Sequence, residues 1–304
     1  MKVLVTGGAG FVGSHLVDEY IKNGYETVVV DSMISGNHLH LNSKAVFYEA
    51  DICSEDFKEI VKKEKPDFIN HHAANINVQS SIKNPDFDAR VNILGTINVL
   101  ESCVLLGGIP IIYPSSAAIY GTPKYLAVDE EHPINPISNY GISKYTPEQY
   151  IRVYHELYDI PYSILRYSNV YGPRQNSKGE GGVVSILLNS VLESSCFTKY
   201  GKGDQTRDFI HVKDVVNANI KATETILNTA VNISNNKQTS LNELINLFME
   251  VSNKDLRVFE AEERTGDIKY SCLSNEKASL MLGWRAEHGL LGGISELYEL
   301  NKTK

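Results

Sequence analysis

The sequence is poor in cysteine and in positive charge, and it contains no long apolar run. The cysteines form no C-x-x-C pair, which argues against a zinc knuckle or a dithiol redox site; they are Cys53, Cys103, Cys196 and Cys272. The 29 lysines and arginines are outnumbered by 37 aspartates and glutamates, a formal charge of -8. Because phosphate backbones are bound by basic faces, no nucleic-acid partner is expected. No apolar segment approaches the roughly 20 residues that span a bilayer, so no membrane partner is expected either.

The chain has 304 residues, which suits about two domains of roughly 150 residues each. An apolar strand is predicted from residue 2, which leaves no room for a signal peptide. Together with the scattered cysteines, this predicts a cytoplasmic protein.

Short apolar strands alternate with helices through the first half of the sequence. Strands are predicted over 2–6, 27–30, 47–50, 68–70, 109–113 and 162–167, and helices over 13–23, about 85–106 and after Tyr140. Strands that are apolar on both faces indicate a parallel sheet covered by helices on both sides. The predicted fold is therefore α/β, with a Rossmann-type doubly wound parallel sheet.

The alternation weakens after Tyr171, where residues 172–182 are rich in glycine and other helix breakers. Further helices are predicted over 183–192, 212–225, 241–251 and 275–282. We interpret residues 1–172 as the sheet domain, to which the chain returns near 206–232. Residues 173–304 are interpreted mainly as a smaller C-terminal α/β domain that forms a lid.

Three glycines follow the first strand with a G-x-x-G-x-x-G spacing, namely Gly7, Gly10 and Gly13. The first permits a sharp turn, the second lets the backbone approach a phosphate, and the third lets the next helix pack closely. The start of that helix, at Phe11 and Val12, offers backbone N–H groups and a partial positive charge. The pattern predicts a dinucleotide site, and a purely structural turn is the alternative.

An aspartate ends the second predicted strand, where an acid binds the adenosine ribose hydroxyls. At about 4 Å, Asp31 would repel a 2′-phosphate by roughly 4 kcal/mol at an effective dielectric near 20. No arginine is adjacent to it, so NAD is predicted rather than NADP. Asp51 ends the next strand and is predicted to reach the adenine, with Ile52 packing on the ring. A solvated strand-end or turn aspartate is the alternative at both positions.

Tyr140 and Lys144 are four residues apart on a predicted helix, so they share one face. A tyrosine that acts as a base near neutral pH needs its pKa lowered by about 3 units, roughly 4 kcal/mol. Lys144 and a positively charged nicotinamide would both favour the phenolate. Ser116, which follows the predicted strand 109–113 together with Ser115, can hydrogen-bond the reacting oxygen. The alternatives are a surface helix and a turn serine.

At these residues the chain resembles the extended short-chain dehydrogenase/reductase family, and within it the UDP-glucose 4-epimerases. The resemblance spans nearly the whole chain in TGGAGFVG (6–13), HHAA (71–74), VNILGT (91–96), SSAAIYG (115–121), YGISK (140–144), RYSNVYGPRQ (166–175) and RDFIHVKD (207–214). It implies an NAD-binding domain, a UDP-sugar substrate, and a homodimer formed through helices near 88–105 and 141–157.

The resemblance also implies roles for single residues. The catalytic set is Ser116, Tyr140 and Lys144. The cofactor would be contacted by Ala73, Ala74, Asn92 and Lys144, in addition to the glycine turn, Asp31, Asp51 and Ile52. The substrate would be contacted by Ser116, Asn169, Arg207, Arg264 and Asp267.

Details of the sequence separate related activities. Ala117 and Ala118 follow Ser116, where the dehydratases and decarboxylases that resemble this chain have acids, so dehydration lacks a general acid. A 4-ketoreductase would prefer NADP, which Asp31 disfavours. Another nucleotide-sugar epimerase, dehydratase or ketoreductase, or a non-catalytic NAD-sensing protein, remains the alternative to a UDP-glucose 4-epimerase.

Four further positions carry expectations. Pro114 is expected to stiffen the approach to the serines, and Pro147 is expected to kink the helix near Lys144. The resemblance places the family's sugar-size gate at Ser271, seven residues after Arg264, where a small side chain would leave room for an N-acetyl group. The pair His71-His72 shows no metal-ligand spacing, so structural hydrogen bonding is expected and no metal site is predicted.

Overall fold

The computed structural model of the chain describes residues 1–176, 182–263 and 268–302. Its strands are β1 Lys2–Thr6, β2 Glu26–Asp31, β3 Val46–Glu49, β4 Phe68–His71, β5 Ile111–Ser116, β6 Tyr162–Tyr167, β7 Asn169–Tyr171, β8 Phe197–Tyr200, β9 Thr206–Arg207, β10 Phe209–His211, β11 Thr229–Ile233, β12 Thr239–Ser240 and β13 Val258–Ala261. Its helices are α1 Phe11–Lys22, α2 Glu55–Glu64, α3 Val78–Lys83, α4 Pro85–Ala89, α5 Gly95–Leu105, α6 Asn139–Tyr158, α7 Val183–Leu192, α8 Val212–Glu224, α9 Leu241–Ser252, α10 Glu276–Leu282 and α11 Leu290–Asn301.

Seven of the described strands form one sheet in the order β11-β6-β5-β4-β1-β2-β3. Every neighbouring pair in it is parallel. The strand order reverses beside β1, which is the doubly wound arrangement, so the predicted Rossmann-type fold is confirmed. The strand farthest from β3 is β11, which places residues 229–233 in the same sheet as the first strand.

The sheet is buried on both faces because its strands are apolar at consecutive positions. Val3 and Val5 pack into a core cluster with helices α1 and α8, while Leu4 points to the opposite face. The same alternation separates Val29 from Val28. Since successive side chains of a strand point to opposite faces, an unbroken apolar strand can fill two cores at once.

A third core cluster lies in the C-terminal part of the chain. It contains Tyr171, Leu187, Phe209, Phe248 and Leu297, none of which joins the clusters on the two faces of the main sheet. Helices α7, α9 and α11 therefore share a core of their own.

Two predicted elements differ in detail from the structure. The predicted helix over 85–106 consists of α4, a π-helical segment over Arg90–Leu94, and α5. The predicted strand over 109–113 extends instead over Ile111–Ser116, so Ser115 and Ser116 are its last residues rather than the residues that follow it.

Both unusual prolines are accommodated without a break in their elements. Pro114 lies in β5 beyond the residues that pair with β4, so its missing N–H falls where β5 pairs with β6 alone. Helix α6 continues through Pro147 from Asn139 to Tyr158. None of the described helices combines the length and apolar character needed to cross a bilayer.

Candidate active site

The candidate residues gather at the carboxyl edge of the sheet. The strands β1, β2, β4, β5 and β6 end there at Thr6, Asp31, His71, Ser116 and Tyr167. Because all of these strands are parallel, their ends meet at one edge, which is where open α/β sheets bind ligands.

The glycine turn forms a close-packed cradle between β1 and α1. Gly7 has φ of +70°, and a Cβ there would lie 2.6 Å from the backbone nitrogen of Ala73. A Cβ on Gly13 would lie 2.2 Å from the carbonyl oxygen of Gly7. Gly10 caps α1 without a side-chain hydrogen bond, so the first N–H groups of the helix, at Phe11 and beyond, are not claimed by a capping side chain. A cradle with donors at a helix N-terminus fits a pyrophosphate.

We expect Gly13→Ala to lower NAD affinity by about tenfold or more, because the added methyl group must push the Gly7 carbonyl and the turn apart at an overpacking cost of about 1–3 kcal/mol. Isothermal titration of the purified variant with NAD measures this. Gly292→Ala is the matched control, since a Cβ at Gly292 meets nothing within 4 Å. Unchanged NAD affinity in Gly13→Ala would show that the cradle does not hold the cofactor.

Asp31 is tied to the cradle rather than free in solvent. It is 7% exposed, and its carboxylate accepts hydrogen bonds from the N–H groups of Ala9 (3.0 Å) and Met33 (2.9 Å). Each carboxylate oxygen retains a second lone pair that can accept a ribose hydroxyl. The solvated-aspartate alternative is therefore disfavoured by the geometry.

The adenine-side prediction is less well supported. One oxygen of Asp51 accepts from the N–H of Cys53 (2.9 Å), and the other pairs with Arg90 at 3.4 Å. Ile52 is buried, and its side chain lies against Gly95 of α5. In the structure Ile52 is therefore a packing residue, and its contact with adenine remains a prediction.

His71 ends β4 beside the cradle, and His72 follows it. The ring nitrogens of His71 lie 2.7 Å and 2.9 Å from the hydroxyls of Thr6 and Thr96. His72 lies 3.3 Å from the hydroxyl of Tyr167. Burial, supported by the nearby charge of Lys144, lowers the pKa of each histidine to about 3, so both are neutral. The described residues contain no metal-binding group of histidine, cysteine and carboxylate side chains.

The alanines after these histidines run beside the glycine turn. The N–H of Ala73 donates to the Thr6 hydroxyl at 3.1 Å, and Ala74 follows it in the same loop. Both residues are partly buried. The structure therefore brings the HHAA segment and the cradle together.

Tyr140 lies in the first turn of α6, which is fixed by local contacts. The helix is capped by Ser138, whose hydroxyl accepts from the N–H of Gly141 at 3.0 Å. The N–H of Tyr140 donates to the Ser81 hydroxyl at 3.1 Å. A Cβ on Gly141 would lie 2.7 Å from the carbonyl oxygen of Ala118, so this turn packs directly on the segment after Ser116.

The Ser116 side chain lies close enough to Tyr140 to act on the phenol by hydrogen bonding. Burial raises the pKa of Tyr140, the Ser116 hydrogen bond lowers it, and the charge of Asp88 raises it. Ser116 also accepts from the N–H of Ala118 at 3.2 Å, which fixes its hydroxyl. The adjacent Ser115 hydroxyl is buried without a hydrogen-bond partner.

Lys144 follows one helical turn later and is 4% exposed. Burial lowers its pKa to about 7, while the charges of Glu148 and Asp88 act in the opposite direction. Its ammonium nitrogen lies 4.6 Å from the ring centre of Tyr113, whose hydroxyl donates to the carbonyl of Lys144 at 3.2 Å. Lys144 thus packs against an aromatic ring, and two carboxylates act on it through their charge.

Asn92 belongs to the polar network behind this lysine. Its amide oxygen accepts from the N–H of Asn75 at 2.7 Å. Its amide nitrogen lies 2.9 Å from the carbonyl of Asn75 and from the hydroxyl of Ser143, and 3.3 Å from Asp88. The side chain is 2% exposed, so direct contact between Asn92 and a cofactor remains a prediction.

Two of the predicted substrate residues lie together. Arg207 is partly buried in β9 and is followed by Asp208. The N–H of exposed Asn169 donates to the carbonyl of Asp208 at 2.9 Å, which brings Asn169 next to Arg207. The guanidinium of Arg207 donates to the carbonyls of Thr206 (2.8 Å) and Ile268 (2.6 Å). The predicted substrate residues Arg264 and Asp267 lie outside the described residues.

Four residues of this region were not singled out from the sequence. Asp88, Tyr113 and Glu148 surround Lys144. Asp208 is 0% exposed and accepts from the N–H groups of residues 235, 236 and 273, at 3.0, 3.1 and 3.2 Å. Burial raises the pKa of Asp208 to about 6. Only its place directly after Arg207, in the matched RDFIHVKD stretch, could have pointed to it.

Comparison with known proteins covers the whole chain. The model of the NAD dependent epimerase/dehydratase family matches residues 3–234. A putative UDP-glucose 4-epimerase of Methanocaldococcus jannaschii is 44% identical over 303 residues, which are 99% of this chain and 98% of that protein. The crystal structure of a Thermotoga maritima UDP-glucose 4-epimerase with UDP-glucose has a TM-score of 0.97 at 38% identity and covers 100% of both chains. The UDP-glucose 4-epimerase of Thermus thermophilus in complex with NAD has a TM-score of 0.93 at 33% identity and covers 98% of both.

Proposed function

The chain belongs to the NAD dependent epimerase/dehydratase family, and we propose that it interconverts UDP-glucose and UDP-galactose. One observation supports this proposal above the others. Ser116 and Tyr140 lie next to each other, with Lys144 one turn behind, at the same edge of the sheet as the glycine cradle.

We propose that NAD is held by the glycine cradle, by Asp31 at the ribose, and by Lys144. The fit is favourable because the cradle presents unclaimed helix N–H groups and because Asp31 is already fixed beside it. When bound, NAD supplies a hydride acceptor for the sugar carbon and a positive charge near Tyr140. The predicted contacts of Asn92, Asp51 and Ile52 are part of the same proposal.

Tyr140 is proposed to remove the proton of the sugar 4-hydroxyl, and Ser116 to hydrogen-bond the same oxygen. The Ser116 hydrogen bond and the ammonium of Lys144 favour the phenolate, while burial opposes it. Tyr140 would return the proton to the same oxygen when the hydride returns to carbon 4. Lys144 is 4% exposed, so its charge acts on Tyr140 with little screening by water.

The substrate is proposed to lie between this site and the C-terminal domain, residues 173–304. Arg207 and Asn169 are proposed to hold the diphosphate, since a guanidinium binds phosphate with two parallel hydrogen bonds. Arg264 and Asp267 are proposed to complete the nucleotide site. The sugar must turn over while the nucleotide stays bound, so the nucleotide rather than the hexose needs the firm contacts.

A dehydratase is disfavoured by the groups around Ser116. Ala117 and Ala118 follow it in a 3₁₀ turn, and neither can protonate a leaving hydroxyl. We propose that the same site also accepts UDP-N-acetylhexosamines, because the small side chain of partly buried Ser271 would leave room for the N-acetyl group.

We further propose a cytoplasmic homodimer. Apolar side chains of α5, α6 and the segment before α5 are left uncovered, at 58% exposure for Leu94, 53% for Leu105, 50% for Val153 and 65% for Leu157. A second copy of these helices would bury them in a four-helix contact. All four cysteines are free, which fits a reducing compartment.

The purified chain is expected to convert UDP-galactose to UDP-glucose without net formation of NADH and without loss of water. Chromatography of the sugar nucleotides, with absorbance at 340 nm followed in parallel, measures both. Parallel reactions with UDP-N-acetylglucosamine and UDP-glucuronate define the sugar range. Accumulation of NADH or of a dehydrated sugar would replace the proposal by a dehydrogenase or a dehydratase.

A further inference from the structure

A buried ion pair lies beside the candidate catalytic residues and is not part of the proposed mechanism. Glu148 of α6 and Arg166 of β6 have side-chain exposures of 0% and 3%. Arg166 donates two hydrogen bonds to the two carboxylate oxygens, at 3.1 Å from Nε and 2.7 Å from Nη2. The pair is therefore a buried bidentate fork, and partly exposed Arg152 lies 3.9 Å from the same carboxylate.

The pair continues into a chain of hydrogen bonds that crosses the site. Arg166 donates from Nη1 to the hydroxyl of Tyr120 at 2.9 Å, and Tyr120 donates to the amide oxygen of Asn232 at 2.7 Å. The amide nitrogen of Asn232 donates to the carbonyl of Val128 at 3.0 Å. Helix α6, the segment after Ser116 and strand β11 are thus held in one register.

The pair is located where α6 has lost a backbone hydrogen bond. Pro147 has no N–H for the carbonyl of Ser143, so the turn that contains Lys144 lacks one of its normal restraints. Glu148 follows immediately and ties the helix to β6. On the other side, the Tyr113 hydroxyl binds the carbonyl of Lys144 at 3.2 Å. The Glu148–Arg166 pair and the Tyr113 hydroxyl therefore both restrain the turn that lacks this backbone hydrogen bond.

The negative charge of Glu148 also acts on Lys144, because the two residues are four apart and lie on the same face of the helix. The other charged or titratable groups around Lys144 are Asp88 of α4, His71 and His72 at the end of β4, Tyr113 of β5, and Tyr140. Burial lowers the pKa of Lys144 to about 7, and Glu148 is the largest of the groups that raise it.

A buried charge pair is not a default choice for stability, since apolar residues of similar volume often stabilise a protein as well or better. We propose that Glu148 is a positioning residue for the reaction: its pair with Arg166 fixes the turn that presents Lys144, and its carboxylate places a negative charge one helical turn from that lysine. This proposal deepens the proposed function and rests on the role given there to Lys144.

The test compares three proteins: the parent, Glu148→Gln, and the double variant Glu148→Met with Arg166→Met. The single variant leaves Arg166 buried without its partner and is expected to lose much of its thermal stability. The double variant removes both charges together and is expected to melt near the parent temperature. It therefore separates the effect of the charge from the effect of a damaged fold.

The titration of Lys144 is followed by NMR of ¹⁵N-lysine-labelled protein without substrate, with Lys144→Met used to assign the signal. In the folded double variant its midpoint is expected to fall by about 1 pH unit. The kcat for UDP-galactose at pH 7 is expected to fall about fivefold, because the protonated fraction of Lys144 falls from about one half to about one tenth, with KM changed less than about twofold. The alkaline limb of kcat is expected to move to lower pH by the same amount.

A double variant with the parent's Lys144 midpoint and the parent's kcat would overturn the proposal and leave the pair a structural one. If the double variant does not fold, the same two measurements on Glu148→Gln decide, and the parent's midpoint and kcat in that variant would overturn the proposal. If the midpoint moves but the parent shows no epimerase activity, the positioning of Lys144 stands and the proposed function fails.

Discussion

Replacing Tyr140 by phenylalanine is expected to lower kcat for the interconversion of UDP-galactose and UDP-glucose by a factor of about 10² to 10⁴. The substitution removes only the phenol hydroxyl, whose oxygen is proposed to take the proton of the sugar 4-hydroxyl. Its hydrogen bond with Ser116 is lost as well. Steady-state kinetics with UDP-galactose measure the effect, and NAD titration shows whether the cofactor site is intact.

The matched control is Tyr158→Phe in the last turn of the same helix. Tyr158 is 47% exposed and lies about 27 Å from Tyr140 along the helix axis. Its kcat is expected to equal that of the parent. Activity within about threefold of the parent in Tyr140→Phe would remove the phenol from the mechanism, since a general acid or base contributes more than that.

The chain without substrate is expected to lose about 4 kcal/mol of unfolding free energy between pH 7 and pH 5 from two histidines at the end of β4, about 2 kcal/mol each. His71 and His72 have pKa values of about 3 in the folded chain, against 6.5 when unfolded. Below pH 6.5 the unfolded chain binds two protons that the folded chain refuses, so stability falls as the pH falls towards 3. Urea denaturation at a series of pH values measures this slope.

Two buried carboxyl groups, Glu130 and Asp208, oppose the effect because burial raises the pKa of each, and one variant isolates it. Burial raises the pKa of Asp208 from 3.8 to about 6, so the folded chain gains a proton between these values and part of the loss is offset. His71→Gln should reduce the slope between pH 6.5 and 5 by about one proton, while the control His38→Gln removes an exposed imidazole. An unchanged slope in His71→Gln would show that His71 is not held neutral by burial.

The main sheet could be predicted from the sequence because its strands are short runs of apolar residues. Val28, Val29 and Val30 are consecutive and serve two cores, a pattern that occurs in buried parallel strands. Helix α2 was missed because it is mostly charged and buries only Phe57 and Val61. The strands β8 and β13 were missed because both are short and partly exposed, so their sequences carry little signal.

Local spacing predicted part of the candidate site and could not predict the rest. The glycine turn and the four-residue interval from Tyr140 to Lys144 are visible in the sequence because each belongs to one element. The roles of Asp88 and Glu148 were not visible, because an acid on a helix is usually solvated. Glu148 is buried only because Arg166, on a different element, meets it. Such pairings depend on how the elements pack.

The structure also revises the end of strand β5, which carries the candidate serine. Ser116 is the last residue of β5, in register with Tyr167 of β6, rather than part of a loop after the strand. Its hydroxyl is therefore positioned by the sheet. The sequence could not show this, because Pro114 is unfavourable inside a strand and predicts an earlier end.

The central claim is that the sugar is oxidised and reduced again at one carbon while the cofactor is regenerated in place. UDP-galactose carrying deuterium on carbon 4 tests it most directly. After incubation with the chain in ordinary water, mass spectrometry and proton NMR of the product are expected to find UDP-glucose with the deuterium still on carbon 4. Product in which that deuterium has been replaced by solvent hydrogen would contradict the account.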